Sequence, residues 1–195
     1  MTETPSPLSL LDRFVLATSG GVANDKTVKA CCAAVYGIDI VRLLLGESYH
    51  PGGMQLSRRL ADALALQPGE HVLDVASGIG ATAIMLAAER EAEVMGVDLG
   101  EAQVQQARGR VASAGLAGRV RFEVGDAERL PVEARTFDAV VCECAFCTFP
   151  DKVTAAAELS RALRGGGRLG VTDVWLNPDR LNPELSGLAG RIACL

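Results

Sequence analysis

Polar and apolar positions along this chain follow two periods, and the two alternate. Residues 71–76 (His-Val-Leu-Asp-Val-Ala) open polar, run apolar and end small, the pattern of a strand buried in a parallel sheet. Residues 81–89 follow with Ala, Leu and Met at helical density. The succession repeats downstream: 93–98, 120–124, 137–142 and 168–174 read as strands, and 101–114 and 152–163 as helices. Strand alternating with helix builds a parallel sheet covered on both faces. Upstream, 54–66 sets Leu56, Leu60, Ala63 and Leu64 on one face of an amphipathic helix. Residues 10–22 and 25–45 read as two further helices around Gly20-Gly21, and Pro51-Gly52-Gly53 and Pro68-Gly69 are breaks. The expected organisation is a helical cap over 1–67, with 1–7 disordered, and an α/β domain over 68–195.

The junction after the first strand carries the chemistry. Ala76-Ser77-Gly78-Ile79-Gly80 turns the chain from strand to helix, and glycines there let a ligand approach the backbone closely. Gly78-x-Gly80-x-x-Ala83 also satisfies the dinucleotide pattern in its G/A form. Asp74 separates the two readings. A carboxylate inside a buried strand needs a cation or a donor-rich partner, and it would repel a pyrophosphate. A ligand with an amino group and a sulfonium suits it better.

The segment Val72-Leu73-Asp74-Val75-Ala76-Ser77-Gly78-Ile79-Gly80 resembles motif I of class I S-adenosylmethionine-dependent methyltransferases, with Ala76 where that motif usually has its first glycine. The resemblance implies a Rossmann-like sheet of order 3-2-1-4-5 under an N-terminal helical cap, with S-adenosyl-L-methionine as cofactor. The family's sheet normally ends in two more strands; this chain stops at Leu195 without them, which predicts an exposed edge. Asp98 ends the second strand, eighteen positions after Gly80, near the spacing at which an acid accepts from ribose hydroxyls; a strand-end Asp capping the next helix is the alternative. By resemblance Asp98 and Leu99 form motif II. Gly125-Asp126-Ala127-Glu128 resembles the adenine-edge motif, in which Asp126 accepts from the exocyclic amine and the Ala127 amide faces a ring nitrogen; a plain Gly-Asp turn reads the same. The resemblance implies that Asp74, Ala76, Ser77, Gly78, Gly80, Asp98, Leu99, Asp126, Ala127 and Glu143 bind the cofactor.

Composition narrows the partners. The net charge is −5 and the arginines are scattered, so no basic stripe offers a nucleic-acid surface. No apolar run reaches membrane-spanning length, and Met1 to Pro7 carries Glu3 and no basic residue, unlike a secretory signal; the cytoplasm is the expected location and a small molecule the expected methyl acceptor.

Six cysteines, in a pattern unlike a small disulfide framework, are core residues or soft-ligand and nucleophile candidates. Cys142 and Cys144 should share one side of the fourth strand, with Glu143 on the other. Cys144, just before a helix start, would gain thiolate character. Cys142-Glu143-Cys144-Ala145, followed by Pro150-Asp151-Lys152, resembles the corresponding segment of arsenite methyltransferases, Cys144 falling on a conserved cysteine of that family. Gly165-Gly166-Gly167 resembles its helix-to-strand turn, and the segments around Cys32 and Cys194 resemble its other cysteine segments. That resemblance implies Cys144 and Glu143 as catalytic residues and Cys144, Cys194 and Cys32 as arsenic(III) ligands, although the cysteine this family carries shortly before motif I is absent. A quinone- or natural-product-type C- or O-methyltransferase, and a truncated fold that binds cofactor without turnover, are the competing readings.

Overall fold

The computed structural model describes residues 52–173. Five parallel strands, β1 (His71–Val75), β2 (Glu93–Asp98), β3 (Val120–Val124), β4 (Phe137–Glu143) and β5 (Leu163–Thr172), form one sheet in the order β3-β2-β1-β4-β5. This is the expected Rossmann-like order. The helices are α1 (Gly53–Ala63), α2 (Ala81–Glu89), α3 (Glu101–Ser113) and α4 (Lys152–Ala162), with a 3-10 turn at Phe146–Thr148. The helices expected over 10–22 and 25–45, the disorder expected over 1–7 and the chain beyond 173 lie outside the described residues.

Period two along the strands sorts their side chains into two cores. Val72, Val94, Ala139 and Val141 face α1, α2 and α3, packing with Ala61, Leu86, Val104 and Phe122. Leu73, Val75, Met95, Val140 and Cys142 face α4, packing with Leu159 and Ala162. Because β1 is buried on both faces, its run of apolar residues is nearly continuous, as its sequence suggested. Strands β2 and β3 and helix α2 have the expected bounds.

Two expectations need correction. On α1 the buried stripe is Ser57, Ala61 and Leu64; Ala63 is exposed and Leu56 is half-buried. A small hydroxyl residue therefore sits in the middle of the packed face. The glycines at 165–167 are not a turn before the last strand. Leu163 already pairs with Phe137, the chain bulges through the glycines with Gly166 at φ +79°, and pairing resumes at Ala139 with Arg168. Arg168 then reaches the carbonyls of Leu64 and Ala65 at 2.8 and 3.1 Å and the Glu70 carboxylate at 2.5 Å, tying β5 to the end of α1.

β5 is the edge of the sheet among the described residues, and Leu169 and Val171 are half-exposed on it. Among the described residues no helix is long and apolar enough to cross a membrane.

Candidate active site

The register of the sheet places the acids. Asp74 lies two residues beyond Val72, Asp98 four beyond Val94 and Glu143 two beyond Val141, so all three share the face covered by α1, α2 and α3. They come from neighbouring strands β2, β1 and β4, at the carboxyl end, where open α/β sheets bind ligands.

Asp74 is 3% exposed, and its Oδ2 has no hydrogen-bond partner. Burial pushes its carboxyl well above the ordinary range. The nearby charges of Glu143 and Asp98 push the same way, and a hydrogen bond from the Ala83 amide in the first turn of α2 opposes them. A buried carboxylate oxygen without a donor is costly, and this one sits under the start of α2.

The loop above it is built from left-handed backbone. Ala76 has φ +59°, Gly78 +53° and Gly80 +78°. Ala76 holds the position where the family motif usually has glycine and accepts a strain of about 1 kcal/mol there. The Ser77 amide donates to the Val97 carbonyl at 3.1 Å, anchoring the loop to β2. The two glycines do different work. A Cβ on Gly80 would lie 2.5 Å from the Phe122 ring and 3.2 Å from Ala107, so this glycine lets α2 pack. A Cβ on Gly78 would meet nothing within 4 Å, so this glycine leaves a space open over the main chain.

Asp98 closes the loop. One of its oxygens accepts from the Gly78 amide at 2.7 Å and the other from the Gly100 amide at 2.8 Å. Burial raises its pKa and these two amides oppose the rise. Each carboxylate oxygen keeps a second lone-pair direction. The capping and ligand-binding readings of Asp98 are thus compatible, since it organises the loop and keeps acceptor directions to spare. Leu99 beside it is 40% exposed. Asp126 accepts from the Glu128 amide at 2.9 Å in a tight turn, with Ala127 buried behind it.

Glu143 ends β4, one residue beyond the expected strand, and lies on the opposite face from Cys142 as expected. Thr82 of α2 donates to its Oε1 at 2.9 Å, while Ser57 of α1 and Thr172 of β5 donate to its Oε2 at 3.2 and 3.4 Å. These three hydroxyls were not singled out from the sequence. The one signal for them was a serine in the apolar stripe of α1.

The cysteine expectations change. Cys144 has left the strand, with φ +49° and its amide bonded to the Thr172 carbonyl at 2.7 Å, so it does not share the Cys142 face. The expected thiolate character is absent. The helix after Cys144 is only the three-residue turn Phe146–Thr148, too short to carry a useful dipole. Burial, then Asp173 and Glu143, push the Cys144 thiol up to about 11. Burial and the Asp173 carboxylate push Cys147 up to about 12, and Cys142, in the core, is raised further. At pH 8 Cys144 and Cys147 should therefore alkylate more than about 100-fold slower than a free cysteine. Peptide mass spectrometry after timed iodoacetamide treatment checks this; labelling at the free-thiol rate would contradict it. Among the described residues no group of three His, Cys, Asp or Glu side chains could hold a metal ion, and Cys32 and Cys194 lie outside those residues.

Residues 66–189 match a family model described as a methyltransferase domain. The 27-O-demethylrifamycin SV methyltransferase of Amycolatopsis mediterranei is 34% identical over 152 residues, covering 72% of this chain and 56% of that protein. The demethylmenaquinone methyltransferase of Deinococcus radiodurans is 38% identical over 133 residues, covering 68% and 51%. Phosphoethanolamine N-methyltransferase 2 of Haemonchus contortus, solved with S-adenosyl-L-methionine, has the same fold, with a TM-score of 0.72 at 22% identity over 92% of this chain and 40% of that one. The chain spans about half the length of the curated relatives it matches.

Proposed function

The chain belongs to the methyltransferase-domain family, and from that premise we propose that it uses S-adenosyl-L-methionine to methylate oxygen or carbon on a small organic molecule. The observation that carries the reading is the partnerless buried oxygen of Asp74 beneath the open space at Gly78, with Asp98 on the same face.

The residues present fit this cofactor. Asp74 and the main chain of 76–80 would hold the methionine moiety, Asp98 the ribose, and Leu99, Asp126 and Ala127 the adenine. Three acids on one face suit a ligand bearing an ammonium and a sulfonium, and they oppose a pyrophosphate. When bound, the cofactor supplies a methyl group activated on sulfur. The protein's own part is to orient: the loop from Ala76 to Gly80 fixes one side of the ligand, and Glu143 and Cys144 at the end of β4 border the acceptor side.

The names of the relatives support a natural product or a quinone as acceptor. An acceptor held by thiolates, such as arsenite, draws support from Cys144 at the tip of β4, but the raised thiols there are poor soft ligands at neutral pH. A screen with methyl-labelled cofactor tests the reading, with hydroxylated natural products, demethylated quinones and arsenite with thiol as its arms. Label transfer to a hydroxyl or ring carbon is the expected result. Transfer to arsenite alone would move the acceptor class. Tight cofactor binding with no transfer in any arm would favour the non-catalytic reading.

A further inference from the structure

We propose that the Glu158–Arg161 pair on α4 positions the base end of the pocket, setting the loop after β3 so that the site takes an adenine nucleoside and rejects its deaminated counterpart. The inference rests on the cofactor reading above and goes beyond it, to residues that act through the loop rather than on the ligand.

The connection from β3 to β4, residues 125–136, runs as turns and irregular chain. In place of a helix or a strand ladder, such a segment needs other partners for its main-chain polar groups. Helix α4 supplies them. Glu158 Oε2 accepts from the Leu130 amide at 2.9 Å. Arg161 donates through Nη2 to the Leu130 carbonyl at 3.2 Å and through Nη1 to the Val132 carbonyl at 2.8 Å. The same guanidinium grips Glu158 twice, Nε to Oε1 at 2.6 Å and Nη2 to Oε2 at 2.8 Å. One ion pair therefore holds both main-chain groups of Leu130. At the start of α4 the Asp151 amide donates to Glu128 at 2.9 Å. Ala127 and Leu130 are buried in the core they share with Leu159 and Ala162. The loop is thus fixed from both ends of α4 and by its own apolar side chains.

This hold reaches the proposed base-binding residues. A Cβ on Gly125 would lie 2.6 Å from Pro131, so the clamped stretch packs back against the residue preceding Asp126. The Gly125 amide donates to the Asp98 carbonyl at 2.9 Å, which ties the loop to the end of β2. An i,i+3 ion pair on a helix surface stabilises the helix itself only slightly. Here the donors go to a loop, where they fix direction. Adenine and hypoxanthine differ at two neighbouring atoms: an amine and a ring acceptor in one, a carbonyl and a ring N–H in the other. Telling them apart takes an acceptor and a donor at fixed spacing, the roles proposed for the Asp126 carboxylate and the Ala127 amide. Asp126 keeps its bond from the Glu128 amide while doing so, because a carboxylate accepts along several lone-pair directions. A displacement of about 1 Å in such a pair is enough to lose the discrimination.

Calorimetry on the full chain with S-adenosylhomocysteine and S-inosylhomocysteine reads the preference as a ratio of affinities. The wild type should bind the adenine ligand about 10-fold or more tighter. In Arg161→Met that preference should fall to within about 3-fold, mainly through weaker binding of the adenine ligand. Arg161→Lys keeps the charge but lacks the planar fork that joins Glu158 to two carbonyls, and its ratio should fall between the two. The ratio separates positioning from stability, since a variant that is merely less stable weakens both ligands alike. An unchanged ratio in Arg161→Lys would overturn the inference, and this milder variant decides even if Arg161→Met folds poorly. Equal wild-type affinity for the two ligands would overturn the inference while leaving the cofactor reading standing. If the wild type binds neither, the cofactor reading fails and takes this inference with it.

Discussion

Asp74→Asn is expected to bind S-adenosylmethionine on the order of 100-fold more weakly than the wild type, and yet to unfold at a higher temperature. Both effects come from one atom. The Asp74 Oδ2 is buried without a donor, and its carboxyl is raised by burial and by the charges of Glu143 and Asp98. An amide in its place keeps an acceptor for the Ala83 amide and removes the buried charge. Relief of such a group is worth about 1–3 kcal/mol. In a chain of this size each kcal/mol is about 2–4 °C of Tm.

The pH dependence has a definite sign. The folded chain holds the Asp74 proton above the ordinary aspartate range, so there it binds more protons than the unfolded chain. The ligand-free wild type therefore loses stability as pH rises through the raised pKa, and Asp74→Asn does not. The Tm advantage of the variant should be largest at pH 8 and shrink on acidification toward pH 4. Scanning calorimetry across that range, with and without cofactor, measures both. A variant that is less stable at every pH and binds normally would show that Asp74 is a structural residue.

The second large effect separates two glycines in one loop. Gly80→Ala puts a methyl group 2.5 Å from Phe122 and 3.2 Å from Ala107, at φ +78°. Left-handed strain of about 1–2 kcal/mol adds to overpacking of about 1–3 kcal/mol. The expected fall in Tm is about 10 °C. Gly78→Ala meets the strain but no neighbour within 4 Å. Its Tm should fall by about 2–8 °C, while cofactor affinity drops about 10-fold or more, because the methyl group enters the space proposed for the ligand. Thermal unfolding and calorimetry on both variants check the contrast. If Gly78→Ala binds cofactor like the wild type, the ligand does not lie over this loop.

Most of this was legible locally. The sequence showed β1, α2, β2 and β3 because an apolar run, a glycine junction and an Ala/Leu helix each carry their own pattern. The parity that places Asp74, Asp98 and Glu143 on one face is also in the sequence, but only once the pairing register is known, and register comes from contacts distant in the chain. The start of β5 is not legible for that reason: three glycines look like a turn, yet Leu163 pairs with Phe137 before them. Ser57 carries no local signal, because a small polar residue in an amphipathic stripe is usually a neutral filler; its partner Glu143 lies 86 residues away. The Cys144 thiol is not legible locally because burial, then Asp173 and Glu143, set its environment, and the turn after it is too short to be a helix. That Asp98 holds both the Gly78 and the Gly100 amide likewise needs the folded backbone to be seen.

The central claim is that the carboxyl ends of β1, β2 and β4 form one cofactor pocket. Hydrogen exchange of the full chain with and without S-adenosylmethionine tests it most directly, because it reports both binding and place. Added protection at the amides of 76–80, 98–100 and 125–128 is the predicted result. Unchanged exchange in those three segments at saturating cofactor, or protection confined elsewhere in the chain, would contradict it.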